Sequence, residues 1–326
     1  MAHPDIGRRL AKKYELLQLA GEGGMAEVFK ACTHGARGFR RTVAVKRILD
    51  HLTHDPEFVA MFVEEARVTA ALAHPNIVQI HDFDEDEDGC FFLVMEWIDG
   101  VNLADWQRAQ RAMRQQASWP LVTAIGIEVL KGLSAAHENR NNEGQRVPVF
   151  HRDVTPQNIL VGANGIVKLT DFGLARAMDR GRMTQPQIVK GKLSYLAPEL
   201  TRGSDPSVQT DLFGVGIVLW ETLVGRKLFT GDGPVDVLGK VARAEVPALR
   251  GERPDVPEAL HNLVHKALSK SPEDRFGSAR SMVRAMANLL RMTPESTSAR
   301  VMAASVKKAR GELLVNAVPL TQRKND

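Results

Sequence analysis

Apolar residues alternate or run in short blocks over the first hundred positions and recur at helical spacing over most of the rest. From Tyr14 to about Trp97, the segments ELLQLA, EVFKAC, TVAVKRI, IVQIHDF and CFFLVMEWI read as β-strands, being short, rich in β-branched and aromatic residues and bounded by turn formers. One helix interrupts them over Asp55 to Ala73. There Phe58, Met61, Phe62, Ala66 and Thr69 fall on one face, and His74-Pro75 ends the run because proline disfavours helical geometry at the residue before it. From Val101 onward helices dominate. Leu121 to Asn139 carries Val122, Ile125, Val129, Leu133 and Ala136 on one stripe, and Ser207 to Val224, Val256 to Ser269 and Gly277 to Met292 repeat the pattern. Thr293-Pro294-Glu295 reads as a cap, an N1 proline and a first-turn acid for a last helix to about Arg310. Met302, Val306 and Ala309 share a face of it that packs on the helical lobe or else docks a partner, and residues 317 to 326 are expected to be disordered.

This order predicts an α+β fold: a small antiparallel-sheet lobe with one helix, then a larger helical lobe, with a ligand cleft at the junction near Glu96 to Gly100. Within the second lobe, Ile159, Leu160 and Val161 and later Ile166, Val167 and Leu169 flank Asn164-Gly165, a dipeptide that favours a two-residue type I′ hairpin. In that register Ala163 faces Ile166, Gly162 faces Val167 and Asn158 faces Asp171, so an amide oxygen and a carboxylate stand close enough to share a hard cation. Asp153 lies just upstream.

At 326 residues and 44% hydrophobic, the chain has room for one large domain or two lobes. A net charge of +4 is too small for this length to argue for nucleic-acid binding. Cys32 and Cys90 sit in apolar strands and read as reduced core residues of a cytoplasmic protein, a single disulfide being the alternative. The N-terminus lacks the apolar region of a secretory signal, and the most apolar window, Phe213 to Val224, is interrupted by Glu221 and too short for a membrane span. The acidic run from Asp84 to Gly89 reads as a solvated turn between strands.

Gly21-Glu22-Gly23-Gly24-Met25-Ala26 lies between two strands, where glycines let backbone N–H groups approach a polyphosphate, although glycine-rich turns are also common without one. Val43-Ala44-Val45-Lys46 then places a lysine in an apolar strand, where an ammonium needs anions. Glu65, on the inward face of the first helix with Met61, Phe62 and Thr69, supplies one, and a nucleotide phosphate supplies another. Glu64 is rotated about 100° away. A purely structural ion pair is the alternative reading. Asp153 is placed to accept a proton from, or orient, a hydroxyl nucleophile, while Mg²⁺ and Lys46 neutralise a transferring phosphoryl group.

With these residues in order (the glycine loop, VAVK at Lys46, Glu65, HRD at Asp153, Asn158, DFG at Asp171, APE at Ala197 to Glu199), the chain resembles the eukaryotic-type protein Ser/Thr kinases. The wording of GEGGMAEVF, GARGFRRTVAVKR and GKLSYLAPE is most similar to bacterial, myxobacterial members. The resemblance implies a bilobal kinase domain over 14–292 (lobes 14–97 and 98–292), an N-terminal extension at 1–13 and a helical and disordered tail at 293–326. It implies ATP held by Ala20, Gly21, Gly23, Gly24, Met25, Ala26 and Val28 in the loop and by Ala44, Lys46 and Glu65. Met95 is the gatekeeper, with the Glu96 carbonyl and the Ile98 amide on the adenine. Mg²⁺ falls to Asn158 and Asp171. Further matches are Asp211, Gly216 and a Glu199–Arg275 pair bracing the helical lobe. The implied partners are ATP, a protein substrate and a second copy for autophosphorylation, with no nucleic acid and no membrane span; the alternative is a pseudokinase scaffold.

Two departures are linked. The family carries a lysine two residues after the HRD aspartate and a threonine before APE; here those positions hold Thr155 and Lys192, so Lys192 is expected to supply the missing ammonium. Thr69 stands where the family prefers a larger apolar residue, which is expected to loosen the helix. Arg152 implies an activation segment ordered by phosphorylation, for which Thr184 is the hydroxyl available between Leu174 and Leu193.

Overall fold

The computed structural model describes residues 3–141, 143–172 and 193–317. Thr184 and Lys192, with the 317–326 tail beyond its first residue, therefore lie outside the described residues. The chain divides into two compact units, 3–98 with 171–172 and 99–170 with 193–317.

In the first unit, β1 (Arg9–Leu10), β2 (Tyr14–Glu22), β3 (Ala26–His34), β4 (Arg40–Ile48), β5 (Ile80–Glu85) and β6 (Phe91–Glu96) form one antiparallel sheet in the order β1-β2-β3-β4-β6-β5. Helix α1 (Pro56–Ala70) starts as its sequence requires, with Asp55 capping the Glu57 N–H and proline at its first position. Strand alternation sorts β4 into two faces. Val43 and Val45 join Tyr14, Leu16, Phe29 and Phe92 in one apolar cluster, while Lys46 is turned toward α1. Residues 3–13 belong to this unit: Leu10 is buried in the apolar cluster, Ile6 packs on it, and Asp5 accepts from Arg47 at 2.7 Å. His3, Asp5 and Glu27 are the one group of such side chains, among the described residues, close enough together to suggest a metal, and Arg47 already supplies their cation. Cys32 and Cys90 are buried free thiols, as expected.

The second unit holds a three-stranded sheet, β7 (Gly100–Asn102), β8 (Ile159–Gly162) and β9 (Val167–Leu169), and the helices α2 (Leu103–Ala112), α3 (Trp119–His137), α4 (Val208–Val224), α5 (Pro234–Arg243), the single turn α6 (Leu249–Glu252), α7 (Glu258–Ala267), α8 (Ala279–Leu290) and α9 (Ala299–Ala317). Helix α4 is capped by a reciprocal Ser207/Thr210 box and ended by Gly225 in the left-handed conformation, and between them nearly every residue is buried. Phe213 to Val224 is thus a core helix, as its sequence suggested. By length and composition alone, α3 is long and apolar enough to cross a membrane, but two thirds of that stretch is buried in the unit, where α3 packs on α4 and α8 as a core helix does.

Three local expectations are corrected. The hairpin pairs Ile159 with Leu169 and Val161 with Val167, one residue out of the expected register. Its loop is Ala163-Asn164-Gly165, with only Gly165 at positive φ (82°), the three-residue type I turn with a bulge in place of type I′. Asn158 consequently pairs with Thr170, whose N–H it accepts at 3.0 Å, and not with Asp171. The acidic turn is not fully solvated: Asp86 is buried, accepting from the Asp88 and Cys90 N–H groups and from Arg8. The last helix begins at Ala299 and not at Pro294: Thr293 accepts the Glu295 N–H as a cap would, but no helix follows, and the Glu295 carboxylate accepts from the Ser118 hydroxyl.

Arg275, 3% exposed, makes a forked pair with Glu199 at 2.7 and 2.8 Å and donates to the Ser269, Lys270 and Gln209 carbonyls, as the resemblance implied. Removing one partner of such a pair leaves a buried charge uncompensated. Glu199→Ala is expected to destabilise the helical unit by about 3–5 kcal/mol, whereas replacing both residues by apolar ones of similar volume should cost much less. Urea unfolding followed by circular dichroism checks this; equal losses in the two variants would contradict it.

Candidate functional site

Alternation along β4 decides the site in the first unit. Lys46 lies in the middle of the sheet, opposite Val28 on β3 and Leu93 on β6, and a buried ammonium there must be met by acid. Its Nζ donates to Glu65 Oε1 and to Asp171 Oδ1, both at 2.7 Å. Glu65 comes from the buried stripe of α1 with Phe62, Ala66 and Thr69. Asp171 sits at φ 63°, a left-handed conformation that aspartate tolerates better than most residues. Burial pulls Lys46 down, but the charges of Asp171 and Glu65 outweigh it and hold the ammonium above its ordinary value. Glu65 is pushed up to about 7 by burial, which the attraction of Lys46 offsets only in part and the charge of Asp171 reinforces. One ammonium therefore faces two carboxylates, and Glu65 Oε2 is buried without a hydrogen-bond partner.

The glycine turn lies in the same unit. Ala20 and Gly21 are in β2, Ala26 and Val28 in β3, and the Gly23 N–H closes the turn on the Ala26 carbonyl at 2.9 Å. Neither Gly21 nor Gly23 has positive φ, and a Cβ on Gly21 would meet nothing within 4 Å. Neither a positive φ nor a close internal neighbour therefore requires glycine at position 21. Ala44 stands beside Lys46 on β4. Met95, buried, and Glu96 end β6, and Ile98 follows.

The second unit holds the other expected residues. Asp211, in the first turn of α4, is fully enclosed and takes the His151 N–H on one carboxylate oxygen (2.9 Å), the Arg152 N–H on the other (2.8 Å), and His137 Nε2 (2.8 Å). These bonds hold Arg152 at φ 67°, a strained conformation for a side chain of that size. Asp153 follows and is buried; Asn158 Nδ2 donates to its carbonyl (2.9 Å) and carboxylate (3.0 Å), which leaves Oδ1 as the end the amide presents elsewhere. His151 Nε2 reaches the Thr170 carbonyl at 3.0 Å. Thr155 is buried and its carbonyl accepts the Asn158 N–H. The roles of His137 and His151 were not read from the sequence. His151 stood in the HRD triplet, whereas nothing local marked His137.

In the first unit Lys46 is an ammonium matched to anions and Asp171 a hard oxygen donor of the kind Mg²⁺ takes; in the second unit Asn158 Oδ1 is a donor of the same kind. The protein kinase domain family model matches residues 14–286. The chain belongs to the protein kinase family. It is 39% identical over 299 residues to the tyrosine-protein kinase MasK of Myxococcus xanthus, covering 92% of this chain and 46% of MasK. It is 33% identical over 277 residues to the serine/threonine-protein kinase PrkC of Bacillus subtilis, covering 85% and 40% of the two chains. Against the serine/threonine-protein kinase PknB of Mycobacterium tuberculosis the identity is 36% over 280 residues, covering 84% and 42%. The chain thus spans less than half the length of these relatives. Among solved structures, the M. tuberculosis PknI kinase domain is similar at a TM-score of 0.65 and 28% identity, covering 88% of this chain and 99% of that one.

Burial alone would raise the Asp211 carboxyl, but the hydrogen bond and charge of His137, with His151, hold it below the ordinary carboxylate range. A depressed folded-state value means that its contribution to stability is complete above the unfolded pKa of about 3.9 and is lost as pH falls through the folded value. Melting temperature measured from pH 6 downward is expected to fall more steeply in the wild type than in Asp211→Asn, which starts less stable but has no carboxyl there to protonate. Parallel slopes would show that other groups govern the acid limb.

Proposed function

We propose that this chain is an ATP- and Mg²⁺-dependent protein kinase that transfers a γ-phosphoryl group to Ser/Thr hydroxyls of protein substrates. The observation that carries the reading is Lys46 held between Glu65 and Asp171 at 2.7 Å on each side, in the unit that also carries the glycine turn. In this reading Lys46 meets the nucleotide phosphates and Glu65 keeps it extended. Mg²⁺, held by Asp171 and Asn158, supplies charge neutralisation for the phosphates. Asp153, its carboxylate oriented by the Asn158 amide, orients the substrate hydroxyl and takes its proton. Residues 14–292 form the catalytic domain, and the compartment is the cytoplasm.

Labelled-phosphate transfer from Mg·ATP to the chain itself and to a generic basic protein tests this. Asp153→Asn is expected to lower transfer by about 10²–10⁴-fold. Undiminished transfer would remove Asp153 from the reaction, and no transfer by the wild type would refute the activity. Phosphoamino-acid analysis of the product decides the acceptor. Phosphotyrosine is the competing outcome, favoured by the name of MasK and by Thr155 standing where Ser/Thr kinases carry lysine.

The same departure yields a second expectation. If Lys192 supplies the ammonium that Thr155 lacks, Lys192→Ala should slow phosphorylation by about 10²–10³-fold, the usual cost of removing one preorganised donor, with ATP affinity nearly unchanged. The exchange Thr155→Lys with Lys192→Thr should restore activity that Thr155→Lys alone does not. A Lys192→Ala enzyme at full speed would discard the idea.

A further inference from the structure

Helix α9 lies wholly beyond the residues that the kinase family model matches. It nevertheless packs on α2, β7 and β8, the last being the first strand of the hairpin that follows Asn158. Met302, Val306 and Ala309 form its buried face, and Val306 and Ala309 are completely enclosed. Polar contacts fix the register of this packing. Trp106 Nε1 on α2 donates to Ser305 Oγ at 2.8 Å, and Arg310 donates to Asp99 at 2.9 Å. The carbonyl of that same Asp99 accepts the Ala163 N–H of the hairpin loop at 2.6 Å.

The tip of the hairpin touches α9 directly. A Cβ on Gly165 would overlap the Ala299 carbonyl oxygen and its neighbouring backbone atoms, so backbone is seated on backbone at the first residue of the helix. Gly165 is thus required twice, for its φ of 82° and for this approach. It also explains the loop: the tip is shaped by what it rests on. The opposite end of the hairpin carries Asn158 immediately before Ile159, the first residue of β8, with the Thr170 N–H bonded to its carbonyl. The hairpin is joined by β7 into a sheet of only three short strands, which takes its position from what covers it: α3 on β9, and α9 on β7 and β8.

We propose that α9 is a positioning element of the site: it clamps the β8–β9 hairpin from its tip and one face, and thereby holds Asn158 where a divalent cation needs it. This rests on Asn158 being a Mg²⁺ ligand. Helix α9 touches neither cation nor nucleotide, and its effect passes through the hairpin. Outer-shell groups that orient a ligand typically account for about 10–100-fold in metal affinity.

The test uses the full chain with Val306→Asp, which places a charge in the enclosed face of α9, and Val306→Ala, a milder change that keeps the face apolar. Amide hydrogen exchange over 159–169 and calorimetric ADP binding with and without Mg²⁺ are read together. Exchange over 159–169 is expected to rise at least about 10-fold in Val306→Asp and less in Val306→Ala, with α4 amides unchanged. The Mg²⁺-dependent gain in ADP affinity should fall about 10-fold or more, in the same order of variants, while metal-free ADP affinity stays as in the wild type. If Val306→Asp loses its α4 protection as well, Val306→Ala alone decides. Unchanged hairpin exchange, or an intact Mg²⁺ gain beside a loosened hairpin, overturns the proposal. A wild type whose ADP binding ignores Mg²⁺ would refute the underlying metal reading instead.

Discussion

The buried carboxylate of Asp211 is the constraint on which the order of the His151–Asn158 loop and the hairpin after it depends. It sits at the start of the most enclosed helix, and each oxygen takes one of two successive backbone N–H groups, those of His151 and Arg152. A pair of neutral acceptors would not grip a loop as firmly, because hydrogen bonds to a charged group are roughly twice as strong as neutral ones. The strained backbone at Arg152 persists because the structure around it over-determines it. From this anchor the order runs outward: Arg152 aims Asp153, Asn158 fixes the Asp153 carboxylate, and the carbonyl of Asn158 starts the hairpin ladder through Thr170. His151 ties the far strand back to the same anchor by its bond to the Thr170 carbonyl.

Strand β4 shows the same economy in the sheet unit. Lys46 and Arg47 are adjacent and both almost completely buried, so alternation sends their charges to opposite faces. Each face carries its own acids, Glu65 and Asp171 for Lys46, and Asp5 and Glu27 for Arg47. Burial penalises both cations, and opposing carboxylates raise both. The difference lies in what else is near. Arg47 is closed over by residues from the N-terminal segment and stacks at 5.8 Å on Phe29, whereas Lys46 is met by an acid of α1 and by Asp171, in the unit that carries the glycine turn.

What the sequence disclosed follows from the range of the forces involved. Strands and helices with strong apolar periodicity were legible, including the inward turn of Glu65, because period and burial are set within a few residues. Helix α2 was not, since LADWQRAQRA buries only Leu103, Trp106, Gln107 and Ala109 and reads as polar. The hairpin slipped by one residue in the reading because Asn-Gly taken locally asks for two positive-φ residues. In the structure Asn164 instead accepts the Ile166 N–H through its side chain, and Gly165 answers to Ala299, which is 134 positions away in the chain, a distance no local rule spans. The segment before Tyr14 was set aside for the same reason. Its charges acquire meaning only against Glu27, Arg47 and Asp86. Motif residues were the most legible of all, since a charge in an apolar strand or a carboxylate beside HRD has few physical excuses.

Thr69 makes the remaining point about α1. Its hydroxyl is buried with no hydrogen-bond partner, and one turn earlier on the same face Glu65 Oε2 is buried in the same condition. An unsatisfied buried polar group costs about 1–3 kcal/mol, more when charged, so this face of α1 seats two penalties side by side. Phe62 and Ala66 are buried on the same face, with Phe62 against Phe83 of β5, but that apolar gain is partly offset. The contact that distinguishes this seating of the helix from any other is therefore the Lys46–Glu65 bond, and that bond shares its ammonium with Asp171. A larger apolar side chain at 69 would remove one of the two penalties and add burial, whereas Glu65 would stay buried and still need Lys46.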